Sequence, residues 1–170
     1  MNLSAAEPPR VVLDTNVVFD WLLFRNPAGV ALGAAITAGR AIWVANAAMR
    51  DEVAHVLARG SLDAWAPDLP MLWAAWDRHC VELPAPVVPR AMPSPATTTR
   101  LRRPVRCTDP DDQKFIDLAV ACGARWLLSR DRAVLELAPS LRELGVEAVA
   151  PGAWALAHEK GATGVAPSGT

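Results

Sequence analysis

The chain has 170 residues, of which 52% are hydrophobic, and its formal net charge is −1. This size and composition predict one globular domain with a substantial core. No apolar run is long enough to span a bilayer, and the N-terminus lacks the apolar region of a signal peptide, so we expect a soluble, cytoplasmic protein without a membrane partner. The cysteines and histidines are scattered, which argues against a zinc site or a disulfide framework.

The first acid of interest follows the first predicted strand. Residues 1–9 are small and polar and predict a flexible tail. An apolar run at residues 11–13 then ends at Asp14, and a helix pattern begins shortly after it. Ligands bind at the carboxyl ends of strands in open parallel sheets, where Asp14 would lie. The alternative is that Asp14 only caps the helix.

The second acid lies on a predicted helix. A small-residue helix at 29–39 leads to a strand at 41–44, and Asn46 can cap the next helix, which runs to about Arg59. Glu52 lies within the apolar face of that helix. Buried acids are usually paired, so a salt bridge, perhaps to an arginine, is the alternative to a functional role. A further helix at 61–79 and a short strand at 81–83 follow.

Residues 84–108 form a loop rich in proline and arginine, without a single acid. Such a segment is either a solvated linker or a cationic strap that grips a phosphate backbone. Its four arginines closest to the following helix are the candidates for contacts with the phosphates of a nucleic acid: Arg100, Arg102, Arg103 and Arg106.

The third acid opens a well-marked helix. Asp109 can cap this helix, Pro110 suits its first position, and Asp112 lies in the first turn. Asp112 also extends the apolar stripe of the helix by one turn, while Asp117 points to the far side with Lys114 nearby. A carboxylate aligned with an apolar stripe is costly unless it is paired, protonated or bound to a cation. The stripe consists of Phe115, Ala119 and Cys122.

The fourth acid, Asp131, comes soon after a predicted strand at 126–128. A short helix at 132–138 and a strand at 146–150 follow, and residues 158–170 predict a disordered tail. The domain is therefore expected to span residues 10–157. Because strands and helices alternate, we expect an α/β fold with a central parallel sheet of about five strands flanked by helices.

The four acids have a common explanation. Clustered carboxylates repel one another unless a cation holds them. A set of oxygen ligands without histidine or cysteine selects a hard cation, Mg²⁺ or Mn²⁺. The acids concerned are Asp14, Glu52, Asp112 and Asp131.

Four segments, in order, resemble those of PIN-domain nucleases: VVLDTN at 11–16, EVAHVL at 52–57, DPDDQKFIDLA at 109–119 and LLSRD at 127–131. The subgroup that the chain resembles most contains the toxins of bacterial toxin–antitoxin pairs. The resemblance implies a Rossmann-like sheet and a Mg²⁺- or Mn²⁺-dependent ribonuclease that hydrolyses RNA phosphodiester bonds, with an antitoxin and a second copy of the chain as candidate partners.

The resemblance also assigns roles to residues. It places the metal-binding, catalytic acids on Asp14, Glu52, Asp112 and Asp131, with Asn16 and Ser129 as supporting polar side chains. The last motif reads Ser-Arg-Asp where Thr-Gly-Asp is common in the family, and the loop before DPDD is unusually long. A non-catalytic PIN-fold module that binds RNA or protein is the alternative from another functional class. A Walker-type nucleotide site is excluded by the missing phosphate loop.

Overall fold

The central element is a five-stranded sheet in which every strand runs parallel to its neighbours, as the sequence predicts. The structure is a computed structural model that describes residues 7–86 and 104–162, with the side chains of 159–162 left out. The strand order is β3-β2-β1-β4-β5. The strands are β1 (Arg10–Leu13), β2 (Ile42–Ala45), β3 (Cys80–Glu82), β4 (Trp126–Leu128) and β5 (Glu147–Val149).

The helices connect the strands in the alternation that the sequence predicts, and none that is described is long and apolar enough to cross a bilayer. They are α1 (Thr15–Leu22), α2 (Pro27–Thr37), α3 (Ala47–Ala58), α4 (Leu69–His79), α5 (Gln113–Ala121), α6 (Arg132–Leu135), α7 (Ala138–Arg142) and α8 (Pro151–Ala162), with short 3₁₀ helices at Asp63–Trp65 and Pro110–Asp112.

The topology creates a crevice beside β1. The chain builds the sheet outward from β1 to β2 and β3, then returns to the other side of β1 to add β4 and β5. Connections therefore leave the carboxyl ends of β1 and β4 in opposite directions, and a ligand-binding crevice opens at such a switch point. The apolar residues of the two strands at the crevice, β1 and β4, are buried: Val11 and Leu127 are 0% exposed.

The region predicted as one helix at 61–79 is divided. It contains a 3₁₀ helix, Asp63–Trp65, and then α4, which begins after Asp68. Ala66 has a φ of 45°, a left-handed conformation that ends the first piece. The next residue is Pro67, and a residue before proline is disfavoured in the helical region. The carboxylate of Asp68 then accepts a hydrogen bond from the N–H of Met71 and starts α4.

The C-terminal part also differs from the prediction. The single helix expected at 132–138 is replaced by two, α6 and α7. Residues 158–162, which we expected in a disordered tail, continue α8. The ring of Trp154 packs 5.7 Å from that of Trp126, and His158 stacks on Trp154 at 4.2 Å. Burial of this aromatic surface stabilises a helix whose own apolar pattern is weak.

Some expectations concern residues outside the described part of the chain. These are positions 1–6 of the N-terminal tail, positions 87–103 of the loop and positions 163–170 of the C-terminal tail.

Candidate active site

The site is built where β1 and β4 end side by side. Leu13 pairs with Leu128, and the backbone N–H of Asp14 donates to the carbonyl of Leu128 at 2.9 Å. Asp14 and Ser129 therefore leave the sheet as neighbours, at the carboxyl edge and within the crevice. The register of two apolar strands fixes this juxtaposition, since a slip of one strand by one residue would turn its side chain to the other face.

Asp14 stands at the N-cap position of α1 but makes no side-chain capping hydrogen bond. Its Oδ2 instead accepts hydrogen bonds from the hydroxyl of Ser129 at 2.5 Å and from Nδ2 of Asn16 at 2.8 Å. Burial raises the pKa of Asp14, the hydrogen bonds from Ser129 and Asn16 lower it, and the charge of Glu52 raises it, with a net upward direction. The side chain of Asp14 therefore does not cap α1, and the alternative interpretation of this acid as a helix cap is wrong.

Asp131 is linked to Asp14 through Ser129. Its backbone N–H donates to Oγ of Ser129 at 2.8 Å, so one hydroxyl links Asp131 to Asp14. The Oδ1 of Asp131 accepts from the N–H of Ala133 at 2.7 Å and caps α6. Oδ1 of Asn16 accepts from the backbone N–H of Arg130 at 3.2 Å, which links α1 to the loop that carries Asp131.

Asp112 contributes a carboxylate of which one oxygen, Oδ2, lacks a hydrogen-bond partner. The capping role expected in DPDD falls to Asp109, which accepts from the N–H of Asp111 at 2.9 Å. Asp112 makes no capping hydrogen bond, and its Oδ2 is buried without a hydrogen-bond partner. Burial raises the pKa of Asp112 to about 7, aided by the nearby negative charges of Asp14, Asp131, Asp109 and Glu52.

Glu52 lies on α3, where it is partly buried, and its charge acts on Asp14 and Asp112. It forms an ion pair with Lys114 of α5, and the ammonium group of Lys114 also contacts the carbonyl oxygen of Asp111. The salt bridge that was the alternative to a functional role for this glutamate exists, but its partner is a lysine rather than an arginine. Our placement of Lys114 near Asp117 on the far side of the helix is wrong, because Lys114 pairs with Glu52. Asp117 accepts a hydrogen bond from Nε2 of Gln113 at 2.8 Å.

A PIN-domain family model matches residues 10–133 of the chain, which include all four acids. The chain belongs to the PIN-domain family. No curated protein and no solved structure matches it significantly. PIN domains are generally nucleases and typically use divalent metal ions, so the acidic crevice is the candidate active site of a nuclease-type domain.

Sequence reasoning missed a buried ion pair beside the PIN-domain site. Asp20 lies on α1 one turn after Asn16 and is only 2% exposed. Its Oδ2 lies 3.1 Å from Nε of Arg130, the residue between Ser129 and Asp131. The available signal was the position of Asp20, four residues after Asn16 on the same helix face. The pair joins α1 to the loop that carries Asp131.

The end of the arginine-rich loop is anchored to the helix that carries the PIN-domain motif. Gln113 donates from Nε2 to the carbonyl of Val105 at 3.0 Å and accepts the N–H of Cys107 at 2.7 Å. Between these residues, Arg106 is exposed and lines a cleft of about 390 Å³ against α7. The other candidate RNA-binding residues, Arg100, Arg102 and Arg103, lie outside the described residues.

The donor set of this PIN domain fits a hard divalent cation in its chemistry. The acids offer only oxygen, and the unpartnered Oδ2 of Asp112 is a free ligand atom in a negative environment. Within residues 7–86 and 104–162, however, no three side chains of His, Cys, Asp or Glu stand close enough to share one ion. The ammonium group of Lys114 lies at Glu52 instead. Binding of a metal would therefore require the carboxylates to close around it.

Proposed function

We propose that this PIN domain is a Mg²⁺- or Mn²⁺-dependent endoribonuclease. The clustering of the acids carries the proposal: Ser129 joins Asp14 to Asp131 by hydrogen bonds, and Asp112, whose Oδ2 is buried without a hydrogen-bond partner, feels the negative charge of both. Carboxylates that lie close together repel one another and so destabilise the fold that holds them. Such an arrangement is explained by a positively charged ligand.

The four acids would share one task, and their hydrogen-bond partners another. Asp14, Glu52, Asp112 and Asp131 would hold the cation, which supplies activation of water and neutralisation of the charge on the leaving oxygen. Ser129 and Asn16 fix one oxygen of Asp14, so its other oxygen remains available. The N–H of Ala133 fixes Oδ1 of Asp131 in the same manner. Orientation of ligands by such partners contributes substantially to affinity and activity.

The decisive experiment measures cleavage of a labelled single-stranded RNA with EDTA, Mg²⁺ or Mn²⁺. We expect cleavage only with a metal, and its loss in Asp112→Asn and Asp14→Asn. Asp111→Asn is the matched control, because Asp111 is exposed and adjacent to Asp112. Cleavage that persists in EDTA and in Asp112→Asn would indicate a contaminating nuclease. A DNA of the same sequence tests the choice of RNA.

We further propose that the enzyme is the toxin of a toxin–antitoxin pair, on the strength of the sequence resemblance. Induced expression in a bacterial host should then arrest growth, and Asp112→Asn should not. The product of a neighbouring reading frame should copurify with the protein and relieve the arrest. Light scattering after size exclusion tests whether the free chain is a homodimer. Normal growth at high expression would contradict the toxin assignment.

One observation favours the alternative of a non-catalytic binding module. The ion pair between Lys114 and Glu52 supplies a permanent cation to one of the four acids, as a structural salt bridge would. A non-catalytic module would bind RNA equally well in EDTA and in Mn²⁺, and would cleave it in neither. Binding without cleavage in every metal would therefore decide for this alternative.

A further inference from the structure

Lys114 is distinguished by its position. In the described part of the chain, its ammonium group forms the only salt bridge to any of the four acids of the site. The side chains of Lys114 and Glu52 are 23% and 28% exposed, so water screens the pair only in part. The other strong contacts of the site come from neutral groups: a hydroxyl, an amide and backbone N–H groups.

The surroundings of Lys114 allow its ammonium group to move. Nζ also contacts the carbonyl oxygen of Asp111 and lies 4.8 Å from the centre of the Phe115 ring. It borders a cleft of about 650 Å³ that also includes Glu52, His55 and Arg59. A lysine side chain has a long flexible stem and a compact charge. It can therefore leave Glu52 for this cleft without a change in the backbone.

We propose that Lys114 pairs with Glu52 as a counter-cation in the metal-free enzyme and must be displaced when a divalent ion binds. The proposal rests on the proposed function, since it takes Glu52 as a ligand. It accounts for two facts together: the acids are not arranged around one ion, and a positive charge lies at one of them. Lys114 would thus set the metal concentration at which the enzyme becomes active.

Two physical effects give the sign of this control. The ammonium group competes with the ion for the carboxylate of Glu52, and it repels any cation bound at neighbouring carboxylates. Both effects weaken metal binding, so removal of the charge should strengthen it. If Lys114 merely held Glu52 in a productive position, its removal would weaken metal binding instead. The direction of the change separates the two roles.

The test is calorimetric titration of Mn²⁺ into metal-free full-length protein. We expect Lys114→Met to bind Mn²⁺ roughly 3- to 10-fold more tightly than the wild type, since the lost pair is partly buried. Lys114→Arg keeps the charge and should bind like the wild type or more weakly. Arg40→Met is the control for net charge. Arg40 is exposed and precedes β2, so it lies at the amino ends of the strands, opposite to the site. Equal or weaker binding by Lys114→Met overturns the proposal.

A second measurement follows Lys114 itself in the wild-type protein by NMR. Lys114 and Lys160 are the lysines of the chain, so labelling of lysine side chains gives a simple NMR spectrum. Titration with Mg²⁺ should shift the Lys114 signal, identified by its absence in Lys114→Arg, and leave that of Lys160 in place. If Mg²⁺ binds and the Lys114 signal does not move, the counter-cation proposal is wrong, while the proposed metal-dependent function is unaffected. If neither Mn²⁺ nor Mg²⁺ binds to any variant, the proposed metal-dependent function fails as well.

Discussion

The hydroxyl of Ser129 lies 2.5 Å from Oδ2 of Asp14, although 115 positions separate the two residues in the chain. Ser129 is 0% exposed and also accepts the N–H of Asp131 at 2.8 Å. A serine in the position where the family commonly has threonine thus retains the hydroxyl that joins the ends of β1 and β4. This link makes the predicted acids of the two strands into one structural unit.

Ser129→Ala tests that link. We expect a loss of about 1–2 kcal/mol in the free energy of unfolding, because a buried acceptor loses its donor. Cleavage should fall about 10- to 100-fold, as is typical when the partner that orients a metal ligand is removed. Urea denaturation and initial rates measure the two effects. The control is Ser140→Ala, at an exposed position of α7, which should change neither.

Asp112→Asn should stabilise the metal-free protein in a manner that depends on pH. The pKa of Asp112 is about 7 in the folded protein, above its ordinary value of 3.8, so the folded state holds this proton more tightly than the unfolded chain does. The free energy of unfolding of the wild type therefore falls as the pH rises from about 4 to about 7. Asparagine has no proton to lose, so the advantage of the variant grows over the same window.

The measurement is chemical denaturation in EDTA between pH 5 and pH 8. We expect the difference between Asp112→Asn and wild type to reach about 1–2 kcal/mol at pH 8 and to shrink toward zero at low pH. Asp111→Asn, at an exposed site, should show no such trend. A variant less stable than wild type at pH 8 would mean that Asp112 serves to stabilise the helix start.

Arg130→Met should destabilise the loop that carries Asp131. Its guanidinium balances the carboxylate of Asp20, which is 2% exposed, while Arg130 itself is about half exposed. Loss of one partner leaves a buried charge without compensation, at a cost of about 1–3 kcal/mol at pH 8. Burial already raises the pKa of Asp20, so its carboxyl can take up a proton as the pH falls.

The damage from Arg130→Met should therefore be smaller at pH 5 than at pH 8. Thermal melts of Arg130→Met, Asp20→Asn and the double variant form the cycle that measures the pair. Additive losses in that cycle would show that the two side chains do not interact in solution.

The arginine-rich loop remains a predicted RNA-binding segment. Its four candidate residues can be replaced together by serine: Arg100, Arg102, Arg103 and Arg106. We expect weaker RNA binding and a salt-dependence slope reduced by up to about 3, because fewer counterions are released from a single strand. Single-turnover cleavage at saturating RNA should change much less, since the metal ligands are untouched.

The control for this loop variant is the pair Arg40→Ser and Arg142→Ser, at exposed positions outside the loop. An unchanged affinity and salt slope in the loop variant would assign the loop to a linker or to a protein partner.

The sequence by itself determined the features that depend on neighbouring residues. The apolar runs at β1 and β4 predict buried strands, and their alternation with helices predicts the parallel sheet, since the pattern of burial follows the period of each element. Asn46 caps α3 through the N–H of Met49, as predicted, because the cap needs only residues three apart. The candidate acids could also be identified from local patterns, because each lies at a strand end or on an apolar helix face.

Only the tertiary structure decided which side chains meet. Lys114 and Glu52 lie on different helices, and their pairing follows from the packing of α3 against α5 rather than from spacing along either helix. Helix α8 extends to Ala162 because Trp154 packs against Trp126 of β4, a contact that the local pattern does not reveal. Partners remote in the chain are selected by the packing of whole elements, and a single sequence carries that information only indirectly.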